Sequence, residues 1–331
     1  MHFVPLSPAR RWSPTAAPAA VASSDLPDAG HQATVAVIVV THDRPQLLAE
    51  LLLALKQQRG LRYQAVIVDN ASGQATQEIL AQASAVIVRS DVNLGGAGGF
   101  ALGIQHALEL GVDWLWLMDD DAIPEAGALE ELASQLPHLP ANAAVACSRV
   151  MEFGDIATTH RRRFNMLLGY ERPVPSGAYT ASVVAVDTAS FVGFMVSAAA
   201  VRAVGLPRTE FFVSYDDTEY SLRLKKHGYS LWLMPASGIV HKRKKQERLR
   251  STEFGPRHYF NVRNRIVVKR AYCKAGYAGA GLGALFGLGL WLCTPGRFRP
   301  RPWRMVLCAI KDGFSGRLGP LPEHFTSRPA P

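Results

Sequence analysis

The stretch Trp114-Leu-Trp-Leu-Met-Asp119-Asp120-Asp121-Ala-Ile-Pro124 decides how the rest of the chain is interpreted. Its first five residues are apolar or aromatic, which is typical of a parallel strand that is buried on both faces. Three carboxylates follow directly, and Pro124 predicts that the extended strand does not continue. In an open α/β sheet, ligands bind beyond the carboxyl ends of the strands. The stretch therefore predicts a ligand site at one edge of a sheet.

Three adjacent acids at such an edge repel one another unless a cation compensates them. Hard divalent cations prefer oxygen ligands. Alternate acids, Asp119 and Asp121, could hold one ion, and the ion would in turn hold a diphosphate. The alternative is a solvated acidic turn or helix start, where carboxylates favour the positive end of the helix dipole. The position directly after an apolar strand favours the metal–diphosphate interpretation.

The bulk properties indicate a globular protein with room for one large domain or two small ones. The chain has 331 residues, of which 48% are hydrophobic and 19% charged. Its four cysteines are scattered and form no CxxC pair, which predicts a reducing compartment and no disulfide scaffold.

The formal charge of +9 is unevenly distributed. A basic run covers residues 241–250, and four arginines follow between residues 297 and 304. Such patches suit nucleic acid, an anionic membrane surface or phosphorylated substrates. No recognition helix, zinc-finger spacing or RNA-binding aromatic signature accompanies them, so we expect no nucleic-acid partner.

Strands and helices alternate from Thr34 onward. Residues 1–33 are rich in Pro, Ala and Ser and are predicted to be a disordered lead, without a convincing signal peptide. After them the hydrophobic patterns predict strands at 35–40, 65–70 and 85–88, and helices at 45–58, at 74–82 and up to about 110. This alternation predicts an α/β fold with a mostly parallel central sheet.

Polar residues stand where this sheet would bring them together. Thr41, Asp69 and Asn93 each follow a predicted strand. The Gly-rich segment 93–100 would let backbone amides approach an anion at the start of the next helix. It is neither a dinucleotide fingerprint nor a Walker loop, and close helix–sheet packing is the alternative explanation for its glycines.

These residues resemble the inverting nucleotide-sugar glycosyltransferases of family 2, which have the GT-A fold. The resemblance covers about Val35 to Arg270. A more specific resemblance is to bacterial galactofuranosyltransferases, with rhamnosyltransferases as near relatives. It rests on the string 93–103, on the triple aspartate and on Tyr259-Phe-Asn-Val-Arg-Asn-Arg265.

The resemblance implies a nucleotide-sugar site and a metal site. The residues expected to bind the nucleotide sugar are Thr41, Arg44, Asp69, Asn93, Gly95, Gly96, Asp119 and Asp120. The expected metal ligands are Asp119, Asp121 and His241. A lone His after a strand is usually structural, but in the galactofuranosyl relatives a His at this place completes the metal site. Imidazole with two carboxylates suits Mn²⁺, or alternatively Mg²⁺, better than Ca²⁺.

The second half of the chain is expected to bind the acceptor. Predicted strands at 183–186 and 190–197 precede a short helix at 198–204. Residues 161–163, three arginines, are interpreted as a cationic surface loop. Phe191, Gly193 and Asp216 are expected to contact the acceptor.

One carboxylate must take the acceptor hydroxyl proton in an inverting transfer. Asp216 or Thr218 could cap a helix, but the resemblance places an acidic pair here and makes its second member the general base. That residue is Asp217. The leaving diphosphate needs no acid where a metal neutralises its charge.

The C-terminal region is predicted to be helical and membrane-associating. Residues 275–293 carry no charge, but 19 residues only approach the ~20 that span a bilayer, so a buried or interfacial helix is favoured. The arginines and Trp303 beyond it suit an interface. We therefore expect a GT-A catalytic domain at 34–240, with a nucleotide-binding half at 34–125 and an acceptor half at 126–240, followed by a basic and hydrophobic region at 241–331.

The sequence thus predicts a glycosyltransferase. The favoured reaction transfers galactofuranose from UDP-galactofuranose to a glycan or glycolipid acceptor on the inner face of the cell membrane, where the protein would be peripheral and possibly a homo-oligomer. The first alternative donor is dTDP-rhamnose. A basic nucleic-acid-binding protein is a remote alternative from another class.

Overall fold

A computed structural model describes residues 33–243 and 249–326. The strands are β1 (Thr34–Thr41), β2 (Arg62–Asn70), β3 (Val86–Ser90), β4 (Trp114–Asp119), β5 (Ala122–Pro124), β6 (Ala143–Glu152), β7 (Asp155–Ile156), β8 (Arg161–Phe164), β9 (Glu171–Pro173), β10 (Val184–Val186), β11 (Thr188–Ala189), β12 (Phe194–Ser197) and β13 (Ser230–His241). The helices are α1 (Pro45–Leu55), α2 (Gln74–Ala81), α3 (Gly95–Glu109), α4 (Ala128–Gln135), α5 (Ala198–Val204), α6 (Asp216–Lys226), α7 (Pro256–Tyr272), α8 (Tyr277–Leu292) and α9 (Pro300–Ser315).

The described strands form one large sheet and one small sheet. The large sheet has ten strands, eight of them in the order β10-β13-β6-β12-β4-β1-β2-β3, with β5 beside β13 and β7 beside β6. The pairs among β1, β2, β3 and β4 are all parallel, as predicted, whereas β12 runs antiparallel between β4 and β6. The two halves predicted at 34–125 and 126–240 therefore share one sheet.

Alternate residues of β1 serve the two faces of this sheet. Ile38 packs under α3 together with Val68 and Ile104, whereas Val37 packs under α1 and α4 with Leu48. Both sets are fully buried, which explains why β1 reads as a continuous apolar run.

As predicted, the extended strand does not continue past Pro124. β4 ends at Asp119, and residues 122–124 form the short strand β5, which pairs with the end of β13. Pro124 is tolerated because it closes a short strand that pairs on one side only. The predicted strand at 190–197 is formed only from Phe194 onward. Gly193, at φ +68°, breaks the extended conformation before it.

From its charge, the arginine run at 161–163 was expected to be a solvated surface loop, but the run is part of a sheet. It forms β8, the middle strand of the small sheet β11-β8-β9. Arg161 is fully buried, and its guanidinium donates hydrogen bonds to the carbonyl oxygens of Ser148 and Val192 at 2.6–2.9 Å. These carbonyls belong to the large sheet and the turn before β12, so Arg161 ties the small sheet to the large one.

The C-terminal helices α7, α8 and α9 pack around their own apolar cluster, which includes Val262, Ile266 and Met305. The uncharged segment 275–293 forms α8, whose Gly283 and Gly287 lie against α7. In the described part of the chain, no helix combines the length and the apolar character needed to cross a bilayer. The predicted lead, apart from residue 33, and residues 244–248 of the basic run lie outside the described residues.

Candidate active site

The three aspartates at the end of β4 have different surroundings. The Asp120 carboxylate accepts hydrogen bonds from Thr41 Oγ1 at 2.8 Å and from Arg44 at 3.1 Å. Asp121 Oδ2 accepts a hydrogen bond from the Arg44 guanidinium at 2.7 Å. Asp119 and Asp121 line a cavity of about 590 Å³, whereas Asp120 does not. The middle acid therefore anchors the turn to β1 and the two alternate acids face the cavity.

His241, the last residue of β13, lies directly beside this turn. Its Nε2 is 3.3 Å from Asp121 Oδ1, and its Nδ1 is 2.8 Å from Glu152 Oε1 at the end of β6. The contact with Asp121 is close but is not aligned as a hydrogen bond, so this buried carboxylate oxygen has no hydrogen-bond partner among the described residues. The pairing of β13 with β5 and β6 brings these groups together.

Burial and crowding set the charges of this edge. Burial, and then repulsion from Asp121, raise the pKa of Asp119 to about 7. Burial opposes protonation of His241, but its contacts with Asp121 and Glu152 outweigh burial and raise the pKa of the imidazole to about 9. The edge therefore carries crowded carboxylates that are held, without a metal, by a protonated histidine.

These residues fit a divalent cation. Two carboxylates and an imidazole offer oxygen and nitrogen ligands, and Asp121 Oδ1, which has a close charge contact with His241 but no hydrogen bond among the described residues, is available to a cation. Among the described residues, the group of three whose ligand atoms all lie within 4.8 Å of one another is Glu152, His160 and His241. Glu152, however, does not line the cavity, and its Oε1 receives both imidazoles at 2.8–3.0 Å. The predicted ligands Asp119, Asp121 and His241 line the cavity together with His160, and Glu152 lies behind the two histidines.

Glu152 and His160 were not predicted as site residues. His160 Nδ1 is 2.7 Å from Ser190 Oγ, and its Nε2 is 3.0 Å from Glu152. Burial lowers the pKa of His160 to about 4 despite Glu152, so this imidazole is neutral at physiological pH. Both residues lie in a stretch without periodicity or motif, so no sequence signal separates them from other polar residues.

The acidic pair opens α6. Asp217 lines the cavity, and its carboxylate accepts the Thr218 backbone N–H at 2.6 Å. Burial raises the pKa of both Asp216 and Asp217, although the Thr218 N–H and Arg162 oppose the shift at Asp217. The helix was predicted, but neither Asp216 nor Thr218 is its N-cap. Tyr215 takes that position with φ +66°.

The loop before α6, residues 211–215, is strained and accepts hydrogen bonds from side chains of α7. Phe212, Ser214 and Tyr215 all have positive φ, which is unfavourable for residues with a Cβ. Asn264 donates to the carbonyl oxygens of the loop at 2.7–3.0 Å, and the buried Arg263 guanidinium donates to the same loop at 3.2 Å. These contacts fix the position of Asp217 relative to the carboxylate edge.

The polar residues predicted for the nucleotide lie at the ends of β1, β2 and β3. The buried Asp69 carboxylate accepts the Ser72 N–H at 2.9 Å. Asn70 donates to Asn93 Oδ1 at 3.2 Å and accepts the Leu94 N–H at 2.8 Å, so it ties β2 to the start of α3. Gly95 has φ +69° and backs against the Phe212 carbonyl, where a Cβ would collide. Thr41, Asp69, Asn93, Gly95 and Gly96 do not line the cavity that Asp119 and His241 share.

Two residues expected at the acceptor lie in the interior. Phe191 packs edge-on against Phe100 and Phe194 in the core, and Gly193 lies against Ser148. Their neighbours Thr188, Ala189 and Ser190 line the cavity instead. Asp216 is buried and does not line the cavity.

The fold and the site together define a class of enzyme. The family model described as Glycosyl transferase family 2 matches residues 36–197. The chain is 32% identical over 220 residues to a galactofuranosyltransferase, GlfT1 of Mycolicibacterium smegmatis, covering 64% of this chain and 72% of that protein. The chain belongs to glycosyltransferase family 2.

A second relative agrees with this assignment, and solved structures share the fold. The GlfT1 galactofuranosyltransferase of Mycobacterium tuberculosis is 31% identical over 214 residues, 59% of this chain and 66% of that protein. The crystal structure of Staphylococcus aureus TarS 1–349 in complex with UDP has a TM-score of 0.55 at 14% identity, over 86% of this chain and 82% of that one. GalNAc-T7 with UDP, GalNAc and Mn²⁺ has a TM-score of 0.56 at 13% identity, over 72% and 48%. The predicted GT-A fold and glycosyltransferase activity are confirmed, and the nucleic-acid alternative is not favoured.

Proposed function

We propose that this glycosyltransferase transfers galactofuranose from UDP-galactofuranose, with inversion, to a glycan or glycolipid acceptor. The observation that carries the proposal is the convergence of Asp119, Asp121 and His241 with Asp217 around one cavity. The donor sugar is inferred from the relatives named galactofuranosyltransferase. They favour this donor over dTDP-rhamnose.

The nucleotide would lie along the ends of β1, β2 and β3. Thr41, Asp69 and Asn93 would contact the nucleoside, with the backbone at Gly95 and Gly96 beside it. Arg44 bridges Asp120 and Asp121 at the margin of the cavity, so its remaining N–H groups are in place for a phosphate. Asp120 would not contact the nucleotide itself. It would position Thr41 and Arg44, from which it accepts hydrogen bonds.

Asp119, Asp121 and His241 would hold Mn²⁺ or Mg²⁺, and the bound ion would supply positive charge to the leaving diphosphate. Asp217 takes the proton of the acceptor hydroxyl while the acceptor oxygen bonds to the anomeric carbon from the face opposite the diphosphate. The bond from that carbon to the β-phosphate oxygen breaks with its electron pair on the oxygen. Because burial raises the pKa of Asp217, its carboxylate is a stronger base than one in water.

The C-terminal helices are proposed to rest on the inner face of the cell membrane. Leu282, Leu285 and Leu292 on the outer face of α8 are 41–64% exposed, and Trp303 on α9 is 42% exposed. Exposed arginines at 299, 301 and 304 accompany Trp303, a combination that suits the headgroup layer.

A donor panel tests the reaction. Purified protein with Mn²⁺ is given UDP-galactofuranose, UDP-galactopyranose or dTDP-rhamnose, and the released nucleoside diphosphate is measured. We expect turnover with UDP-galactofuranose, loss of turnover with EDTA, and turnover of UDP-galactofuranose reduced by about 100-fold or more in Asp217→Asn. Turnover of dTDP-rhamnose alone would overturn the choice of sugar.

A further inference from the structure

One face of α7 lines the active-site cavity. Arg257, Asn261 and Arg265 are spaced four residues apart, which places them on one side of the helix, and all three line the cavity. The intervening Arg263 and Asn264 are buried and hold the loop before α6. The segment 259–265 thus divides into residues that support the loop and residues that face the cavity.

Arg265 is held in place by aromatic rings rather than by an acid. Its guanidinium carbon lies 3.6 Å from the centre of the Phe286 ring on α8 and 5.0 Å from that of Tyr215. Its Nε is buried and has no hydrogen-bond partner among the described residues, and the same holds for Asn261 Oδ1. Buried polar atoms without partners are costly, so both point to a ligand that satisfies them.

Two other arginines that line the cavity are paired with carboxylates. Arg44 pairs with Asp120 and Asp121, and Arg162 donates to Glu171 at 2.7 Å. In the described part of the chain, no carboxylate lies within 4.0 Å of the Arg265 guanidinium nitrogens. Arg265 on α7 is therefore a cation without a neighbouring carboxylate among the described residues. It belongs to a different element from the carboxylate edge, where the donor diphosphate is expected.

We propose that Arg265 and Asn261, with Arg257 beside them, form a second anion subsite that binds a phosphoryl group of the acceptor. This inference rests on the proposed transferase function. Arg265 supplies the charge and donors, and Asn261 Oδ1 accepts a sugar hydroxyl. Phe286, which stacks on Arg265, is 38% exposed, and Leu282 and Leu285 continue the apolar surface of α8. A phosphoryl group joined to an apolar chain matches this arrangement.

Two synthetic acceptors that carry the same glycan test the subsite. One is linked to octanol through a phosphodiester, and the other is the plain octyl glycoside. In the unmodified protein, we expect a KM for the phosphate-linked acceptor at least about tenfold below that of the glycoside. Arg265→Gln should raise that KM by about 10- to 100-fold, the usual effect of losing hydrogen bonds to a charged group. Asn261→Ala should raise the KM for both acceptors, and Arg202→Gln, at an exposed position on α5, should change neither.

The affinity for UDP, measured by calorimetry with Mn²⁺, separates the two sources of phosphate. It should be unchanged in Arg265→Gln. A matching loss of UDP affinity would assign the subsite to the donor and overturn the proposal, as would equal effects of Arg265→Gln on the two acceptors. Arg265→Lys provides the second variant and should retain part of the preference for phosphate. Absence of transfer by the unmodified protein would instead contradict the proposed function.

Discussion

Asp217 is the residue on which the reaction is expected to depend. Asp217→Asn keeps the size of the side chain and its contact with the Thr218 N–H but removes the basic carboxylate. We expect transfer to fall by a factor of about 100 to 10,000, the usual worth of a general base. UDP and Mn²⁺ affinities, measured by calorimetry, should stay within about twofold. Transfer at the unmodified rate would remove Asp217 from this role.

His241 makes metal binding dependent on pH. Because the metal-free imidazole has a pKa of about 9, it must lose a proton before its nitrogen binds a cation. Below pH 7, Asp119 must lose one as well, because its pKa is about 7. The Kd for Mn²⁺, followed by electron paramagnetic resonance of the free ion, should fall about tenfold per pH unit from pH 7 to 9 and more steeply below 7. His241→Ala should weaken Mn²⁺ binding and remove the dependence between pH 7 and 9. An unchanged titration would contradict this ligand.

Glu152 is expected to position His241 without touching the ion. Its contact with Nδ1 turns the other imidazole nitrogen toward Asp121, which is how residues behind a metal ligand usually act. Glu152→Gln should weaken Mn²⁺ affinity by about 10- to 100-fold, and Glu152→Asp should weaken it less. The exposed Glu131→Gln on α4 is the control and should bind Mn²⁺ normally. A normal Mn²⁺ affinity in Glu152→Gln would show that this contact is dispensable.

At the scale of elements, α3 lies unusually close to the sheet. A Cβ on Gly103 would come within 2.6 Å of an Ile38 methyl and 2.9 Å of a Val68 methyl, both in the core. Gly103→Ala should therefore lower the free energy of unfolding by about 1–3 kcal/mol, as other overpacked cores do. Gly289→Ala on α8, where a Cβ meets nothing within 4 Å, should leave it unchanged or raise it slightly. Urea denaturation measures both variants. Equal stabilities would mean that α3 can shift away from the sheet.

The elements differ in how well sequence predicts them. The strands and helices from β1 to β4 were predicted because each carries its own hydrophobic pattern and the connections are short. In the region from β6 to β12, β10 and the part of 190–197 that forms β12 were predicted, and the other strands were not. Its strands β7 to β12 have two to four residues and gain their stability from partners far along the chain, such as β4 and β6 for β12. Arg161 illustrates the limit, because a run of arginines gives no sign that one of them is buried.

At the scale of the whole molecule, the exposed face of α8 is expected to contact a lipid surface. Leu285→Glu places a charge on that face and should reduce cosedimentation with vesicles of anionic phospholipid by about tenfold or more, because burying a charge at the interface is costly. Leu53→Glu on α1 is the matched control, since the two leucines are 64% and 61% exposed. It should bind vesicles like the unmodified protein. Equal binding by both variants would locate any lipid contact elsewhere.

The sequence alone determined the α/β alternation, the family and the acids at the end of β4, because apolar strands and the residues that follow them are local properties. It also placed His241 and Asp217 among the expected site residues. Only the tertiary structure decided what stands beside them. Glu152 and His241 are 89 positions apart in the chain and meet because β6 and β13 pair side by side. The same holds for α7, where folding turns Arg263 inward and Arg265 toward the cavity. Which side a polar residue faces depends on what packs against its element, and no local pattern records that.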